Sequence, residues 1–113
     1  MYRQHHYHST THEVLVVVNG SARLFFGGEN NPNGVRHQVN KGDVMVLPAG
    51  TGHAMEEDLG GFSMVGSYPV DAENWDHCIG GEGTDAEERI KALNWFTRDP
   101  IYGNEGPVLD IAN

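Results

Sequence analysis

The run Val14-Leu15-Val16-Val17-Val18 constrains the fold of this chain more than any other feature. Five consecutive apolar residues without helical periodicity, rich in β-branched side chains whose χ1 freedom a helix would restrict, favour a strand. Asn19-Gly20 follows directly. Because both central residues of a type I′ turn need positive φ, this dipeptide predicts a two-residue hairpin, with Ser21–Phe26 as the returning strand. Immediately before the run stands His5-His6-Tyr7-His8-Ser9-Thr10-Thr11-His12-Glu13, which holds four of the chain's 7 histidines and a carboxylate. That is a ligand-rich loop mounted on a rigid strand, and its imidazole and carboxylate donors suit Zn, Fe, Mn, Ni or Cu.

Downstream, residues 27–34 carry Gly, Asn and Pro with almost nothing to bury and read as a loop. Val35–Val39 alternates apolar and polar, as a strand wet on one face does, and Asn40-Lys41-Gly42-Asp43 turns the chain into the short apolar run Val44–Leu47. Pro48-Ala49-Gly50-Thr51-Gly52 bends it again, and Phe62–Tyr68 is a further strand that Pro69 stops. Short strands joined by tight turns predict an all-β sandwich or barrel, with its core at about residues 4–70. Beyond residue 70, Thr84-x-x-Glu87 is a capping box, and Ala86, Ile90 and Leu93 recur at helical spacing. One helix near 85–94 is expected on the outside of the barrel, with Trp75, Trp95 and Phe96 covering its outer surface or a partner subunit.

At 113 residues the chain is expected to form a single domain, residues 1–113. A formal net charge of −9 makes nucleic acid and anionic membranes poor partners, since phosphate binding needs a positive surface. Cys78 is the single cysteine, so no intrachain disulfide forms. With no apolar leader and no run long enough for a membrane span, a cytoplasmic location is expected. No P-loop, dinucleotide fingerprint or G-x-S-x-G occurs, which removes phosphate-cofactor and serine-hydrolase readings.

Read as spacing, the first half is His6-x-His8-x4-Glu13-x6-Gly20. Strand alternation lets His6 and His8 aim at a common point, and a bend after His8 can bring Glu13 from the next strand to it. His12 is the rival to Glu13, because adjacent residues on a strand point to opposite faces. Farther on, Gly42-x5-Pro48-x-Gly50-x2-His53 offers another imidazole from a separate strand.

These two stretches resemble the paired motifs of the cupins, G-x5-H-x-H-x3,4-E-x6-G and G-x5-P-x-G-x2-H-x3-N. The likeness runs over about residues 6–57, and Tyr7, the S-T-T-H-E run and D-P-I-Y-G look most like small single-domain bacterial and fungal cupins of unassigned chemistry. It implies a double-stranded β-helix, or jelly-roll barrel, holding one divalent transition metal on His6, His8, Glu13 and His53. It favours Glu13 over His12. The first motif's leading Gly would stand six residues before His6, where the chain does not reach, so the N-terminal strands are expected to be short or missing.

Glu57 stands where the second motif ends in Asn. Alternation continued from His53 through Met55 places it on the lumen side, a candidate catalytic acid or base; the competing reading makes Glu56-Glu57-Asp58 a solvated charge run. His5 is expected to face away from the ligands, Tyr7 to pack outward, His37 and His77 to play surface or core roles, and Cys78 to be inert. Met55, Phe62 and Met64 are the expected apolar walls.

Three imidazoles and a carboxylate leave coordination positions open, as in a catalytic metal centre. The function expected is therefore a metal-dependent oxygenase or isomerase of a small polar molecule. The alternatives are a non-catalytic ligand-binding or structural cupin module, or a β-domain with no metal. Uncovered sheet edges predict a homodimer.

Overall fold

The apolar run does form a strand, but that strand does not stop at Asn19-Gly20. The computed structural model of the chain describes residues 1–70, 72, 74–79 and 84–111. Strand β1 spans Glu13–Phe26 without interruption. The expected hairpin is instead a bulge, marked by register shifts against the facing strand between Val17 and Ala22. The inward residues show what the bulge does. Leu15 and Val17 are buried on the odd positions, whereas beyond it Ala22 and Leu24 are buried on the even ones. An extra residue reverses the alternation, so both halves of a 14-residue strand keep an apolar inner face while the strand bends.

Three further strands complete the sheet: β2 (Val35–Asn40), β3 (Val44–Leu47) and β4 (His53–Ser67). β4 runs antiparallel along almost all of β1, from Val14 opposite Ser67 to Phe26 opposite His53. β2 pairs with residues 21–26 of β1 and β3 with residues 13–16, both antiparallel. The turn between them is tied to the bulge, Lys41 N–H donating to Gly20 O and Val17 N–H to Asp43 O. The result is a small antiparallel all-β barrel. The N-terminal stretch joins it through the two-way pairing of His6 with His53, through Met55 N–H donating to Tyr2 O and through Gly50 N–H donating to His8 O. Among the described residues it forms single-residue bridges and no longer strand, in line with N-terminal strands expected to be short or missing.

Val17, Ala22, Leu24 and Val39 form the buried core, with Phe26, Met45, Met55 and Phe62 packed on it. Met55 and Phe62, expected as pocket walls, belong to this core. Helix α1 covers Thr84–Ala92, close to the expected span, and a short α2 covers Pro107–Ile111. The Thr84 side chain of the capping box lies outside the described residues. Ala86 is buried, and Ile90 packs on Gly50 at the bend before β4. No described helix is long and apolar enough to cross a membrane.

The tail is held by Asp99, whose carboxylate accepts the N–H groups of Ile101, Tyr102 and Val108. Trp95 and Phe96 pack against His12 on the outer side, with ring centroids 4.9 and 5.5 Å away. Trp75 does not cover the outer surface: it stands edge-on to His8 at 5.8 Å.

Candidate metal centre

Three chain segments meet where β4 begins. His53 is the first residue of β4, and its backbone pairs in both directions with His6, which fixes one imidazole beside the other. His8, two residues on from His6, is held by its carbonyl, which accepts Gly50 N–H at 2.8 Å. Glu13 opens β1 on the same inward parity as Leu15.

The ligand nitrogens of His6, His8 and His53 lie within 4.8 Å of one another, and all three residues are buried. Glu13 Oε1 is 3.3 Å from His8 Nε2 and 3.6 Å from His53 Nε2. Two ligands each about 2.0–2.1 Å from one ion at tetrahedral or octahedral angles stand roughly 3.0–3.4 Å apart, so the Glu13 contacts with His8 and His53 are already close to that spacing.

The other ring nitrogens decide the tautomers. His6 Nδ1 faces Gln4 O at 3.1 Å, His53 Nδ1 faces Thr51 O at 2.9 Å, and His8 Nδ1 makes a short bond to Asp76 O. A carbonyl oxygen only accepts, so each Nδ1 carries the hydrogen and each Nε2 presents a lone pair. Backbone carbonyls that orient imidazoles in this way are the usual outer support of a histidine metal site. A buried N₃O donor set with its tautomers already fixed fits a divalent transition metal.

His12 takes no part. Ala49 N–H donates to its Nδ1 at 2.9 Å, so its Nε2–H donates to Asn94 O at 3.1 Å, and both nitrogens are committed. Strand parity turns it outward beneath Trp95 while Glu13 points in.

Residues 2–59 match the sequence profile of the family described as Cupin. The chain belongs to the cupins. It is also 38% identical over 109 residues to the uncharacterized protein YjlB of Bacillus subtilis (strain 168), an alignment that covers 95% of this chain and 64% of that protein. The cupin chain thus spans slightly less than two thirds of the length of the curated relative it matches.

The electrostatics of this cupin site follow from burial and proximity. Burial holds His6 below its usual pKa and pushes His53 down to about 4, keeping both rings in the neutral, ligating form. Burial acts the same way on His8, but the Glu13 carboxylate and the Asp76 carbonyl outweigh it and raise His8. Burial would raise Glu13, yet the adjacent His8 ring and the hydrogen bond from the Tyr68 hydroxyl hold it below the usual carboxylate value. A divalent ion at His8 Nε2 would have to displace a proton from that lone pair.

Tyr68 and Asp76 escaped the sequence reading, and His77, expected to play a surface or core role, is exposed but stacks on the site. Tyr68 Oη donates to Glu13 Oε2 at 2.9 Å and fixes that carboxylate from the far side. The His77 ring stacks on His6, with centroids 4.6 Å apart and planes 4° from parallel. The Asp76 carboxylate accepts Ser9 N–H at 2.8 Å and the Ser9 hydroxyl, while its backbone carbonyl orients His8. Nothing in local spacing marks an interaction across 67 residues, although Trp75-Asp76-His77-Cys78 is dense in chemically able side chains.

Burial opposes ionisation of Asp76, but the Ser9 hydroxyl and N–H, the Cys78 thiol and the Thr10 N–H outweigh it and hold the carboxyl well below the usual range. A depressed folded-state pKa gives stability that is fully present above the unfolded value, about 4, and is lost as pH falls toward the folded value. Asp76→Asn should therefore lower the melting temperature at pH 7, and the gap to the parent should narrow steadily below about pH 5 in thermal melts. A gap that stayed constant down to pH 2.5 would remove the charge from the explanation.

Glu57 is not on the lumen side. β1 and β4 slip by one residue between Leu24 opposite Met55 and Arg23 opposite Glu57, and this bulge transfers Glu57 to the outer face. There its carboxylate meets Arg23 Nη1 at 2.6 Å, both side chains being largely exposed. Extended chain puts it roughly 13 Å along β4 from His53. Glu57→Gln should leave metal uptake unchanged and alter stability by less than about 0.5 kcal/mol, the scale of an exposed ion pair. Metal analysis and a denaturant titration check both.

His5 turns away from the candidate ligands and rests edge-on against Phe25 at 5.1 Å. Tyr7 is half-buried, His37 lies exposed on β2, and the buried Cys78 thiol faces Asp76 Oδ2 at 3.3 Å.

Proposed function

We propose that this cupin is a metal-dependent enzyme, an oxygenase or isomerase of a small polar molecule, with His6, His8, Glu13 and His53 as the ligands of one divalent transition metal. The observation that carries the reading is the position of the four donors in a pocket of about 370 Å³ whose other walls include Leu15, Met64, Tyr68 and Trp75. A metal there would supply Lewis acidity or, if redox active, reactivity toward O₂.

The chain's own groups have separate tasks. Tyr68 keeps Glu13 in place and, because burial and the Glu13 carboxylate raise its pKa, remains a hydrogen-bond donor throughout the neutral range. The apolar walls exclude water and orient the substrate. Tyr2 and Trp75 are half-exposed or more where they line the pocket, which places them at its mouth.

Elemental analysis of untagged protein is the first test, followed by O₂ uptake with the Fe(II) form and NMR detection of isomerised products with the Mn(II) and Zn(II) forms, across a panel of enols, diols, sugars and hydroxy acids. Turnover of any member supports the proposal. Metal-dependent thermal stabilisation with no turnover in any form would leave a binding or structural module.

The same reading includes a homodimer. On the outer face of the sheet Val16 stands between its partners Val44 and Val65, and Val18, Val44 and Val65 are 44, 40 and 54% exposed. An uncharged β-branched surface of this kind favours burial against a second copy. Light scattering that gave a monomer at micromolar concentration would refute it.

A further inference from the structure

A larger cavity of about 510 Å³ lies behind the metal pocket, between the ends of β1 and β4 and the segment 94–100. Its walls are unlike those of the metal pocket. Val14, Pro69, Trp95 and Phe96 make an apolar and aromatic lining. The two rings meet edge to face at 5.1 Å and are fixed on His12.

Three polar side chains on this wall are already committed. The Trp95 indole N–H donates to Val108 O at 2.7 Å, His12 uses both nitrogens, and the Asp99 carboxylate is occupied by three backbone N–H groups. One charge is left uncommitted: Arg98 lines the cavity, is exposed, and has no ion-pair partner among the described residues. In a chain of net charge −9, a free guanidinium beside a rigid aromatic wall is a specific combination.

We propose that this cavity is a second ligand site, for a planar aromatic molecule bearing a carboxylate or a comparable anionic group. The ring would lie against Trp95, Phe96 and Pro69, with its area buried and its edges facing aromatic faces. The anion would meet the Arg98 fork, whose planar donors match a carboxylate in two parallel hydrogen bonds. Among the described residues Tyr68 alone lines both this cavity and the metal pocket, so a ligand here touches the side chain that holds Glu13. The site does not depend on the metal centre being catalytic.

1-Naphthoate titrated into the zinc-loaded full chain, followed by tryptophan fluorescence and by saturation-transfer NMR, tests the proposal, with neutral 1-naphthamide for comparison. The expected result is saturable quenching that persists in Trp75→Phe and in His53→Ala. Arg98→Gln should weaken naphthoate about tenfold and naphthamide hardly at all. Loss of binding in His53→Ala with no effect of Arg98→Gln would assign the carboxylate to the metal pocket and overturn the proposal. Absence of saturable binding in the parent chain would overturn it as well.

Discussion

His53→Ala is expected to abolish metal uptake, taking the content of untagged protein from about one ion per chain to less than about a tenth. The ring it removes is 2% exposed and contributes the nitrogen nearest Glu13 after that of His8. Loss of an outer hydrogen bond to a ligand commonly weakens binding by about 10–100-fold, so loss of a donor atom should exceed this. The fold has independent support at this position, because the His6–His53 pairing is made by main-chain atoms that alanine keeps. Circular dichroism should therefore show a folded protein without metal.

His12→Ala should give the opposite pattern. It removes the acceptor for Ala49 N–H, the donor to Asn94 O and the support of Trp95 and Phe96, so the melting temperature falls while metal content persists. If His12→Ala alone emptied the site, the ligand assignment would be wrong. Affinity in the parent should also fall as pH is lowered through the raised pKa of His8, where proton and metal compete, rather than through the depressed values of His6 and His53.

The outcome for these histidines shows which signals the sequence carries. Strand parity and motif spacing placed His6, His8, Glu13 and His53 around a common point, because alternation is a local rule and the segments bearing them are short. The same rule failed for Glu57, where the register slip between Leu24 and Arg23 intervenes after Met55. A slip of one residue reverses the face of everything beyond it, and no residue in Met55-Glu56-Glu57 announces it. Asp76 and the stacking of His77 on His6 were illegible for another reason. They depend on where the chain returns after leaving the barrel, and this is fixed by tertiary contacts such as Asp76 with Ser9. Strands β2 and β3 were legible almost to the residue, since each is a short apolar or alternating run bounded by Gly, Pro or Asn.

Asn19-Gly20 was misread through its own chemistry. Positive φ was expected at both residues but is found only at Gly20, with φ 69°, and not at Asn19; one left-handed glycine suits a bulge, whereas the type I′ hairpin needs two such residues. A second constraint is tertiary: a Cβ on Gly20 would lie 2.1 Å from Gly60 O and 2.5 Å from the Gly61 carbonyl carbon. Both contacts are with backbone, which cannot rotate aside as a side chain can. Gly20→Ala should therefore combine conformational strain with forced separation of β1 and β4, together costing about 3 kcal/mol or more. For a domain of this size that corresponds to a drop of more than about 10 °C in melting temperature. Gly42→Ala is the matched control, because Gly42 has φ 96° but a Cβ there meets nothing within 4 Å. It should show only the conformational part, about 1–2 kcal/mol. Equal losses in the two variants would mean that the close crossing of the strands contributes nothing and that backbone conformation alone explains the glycine.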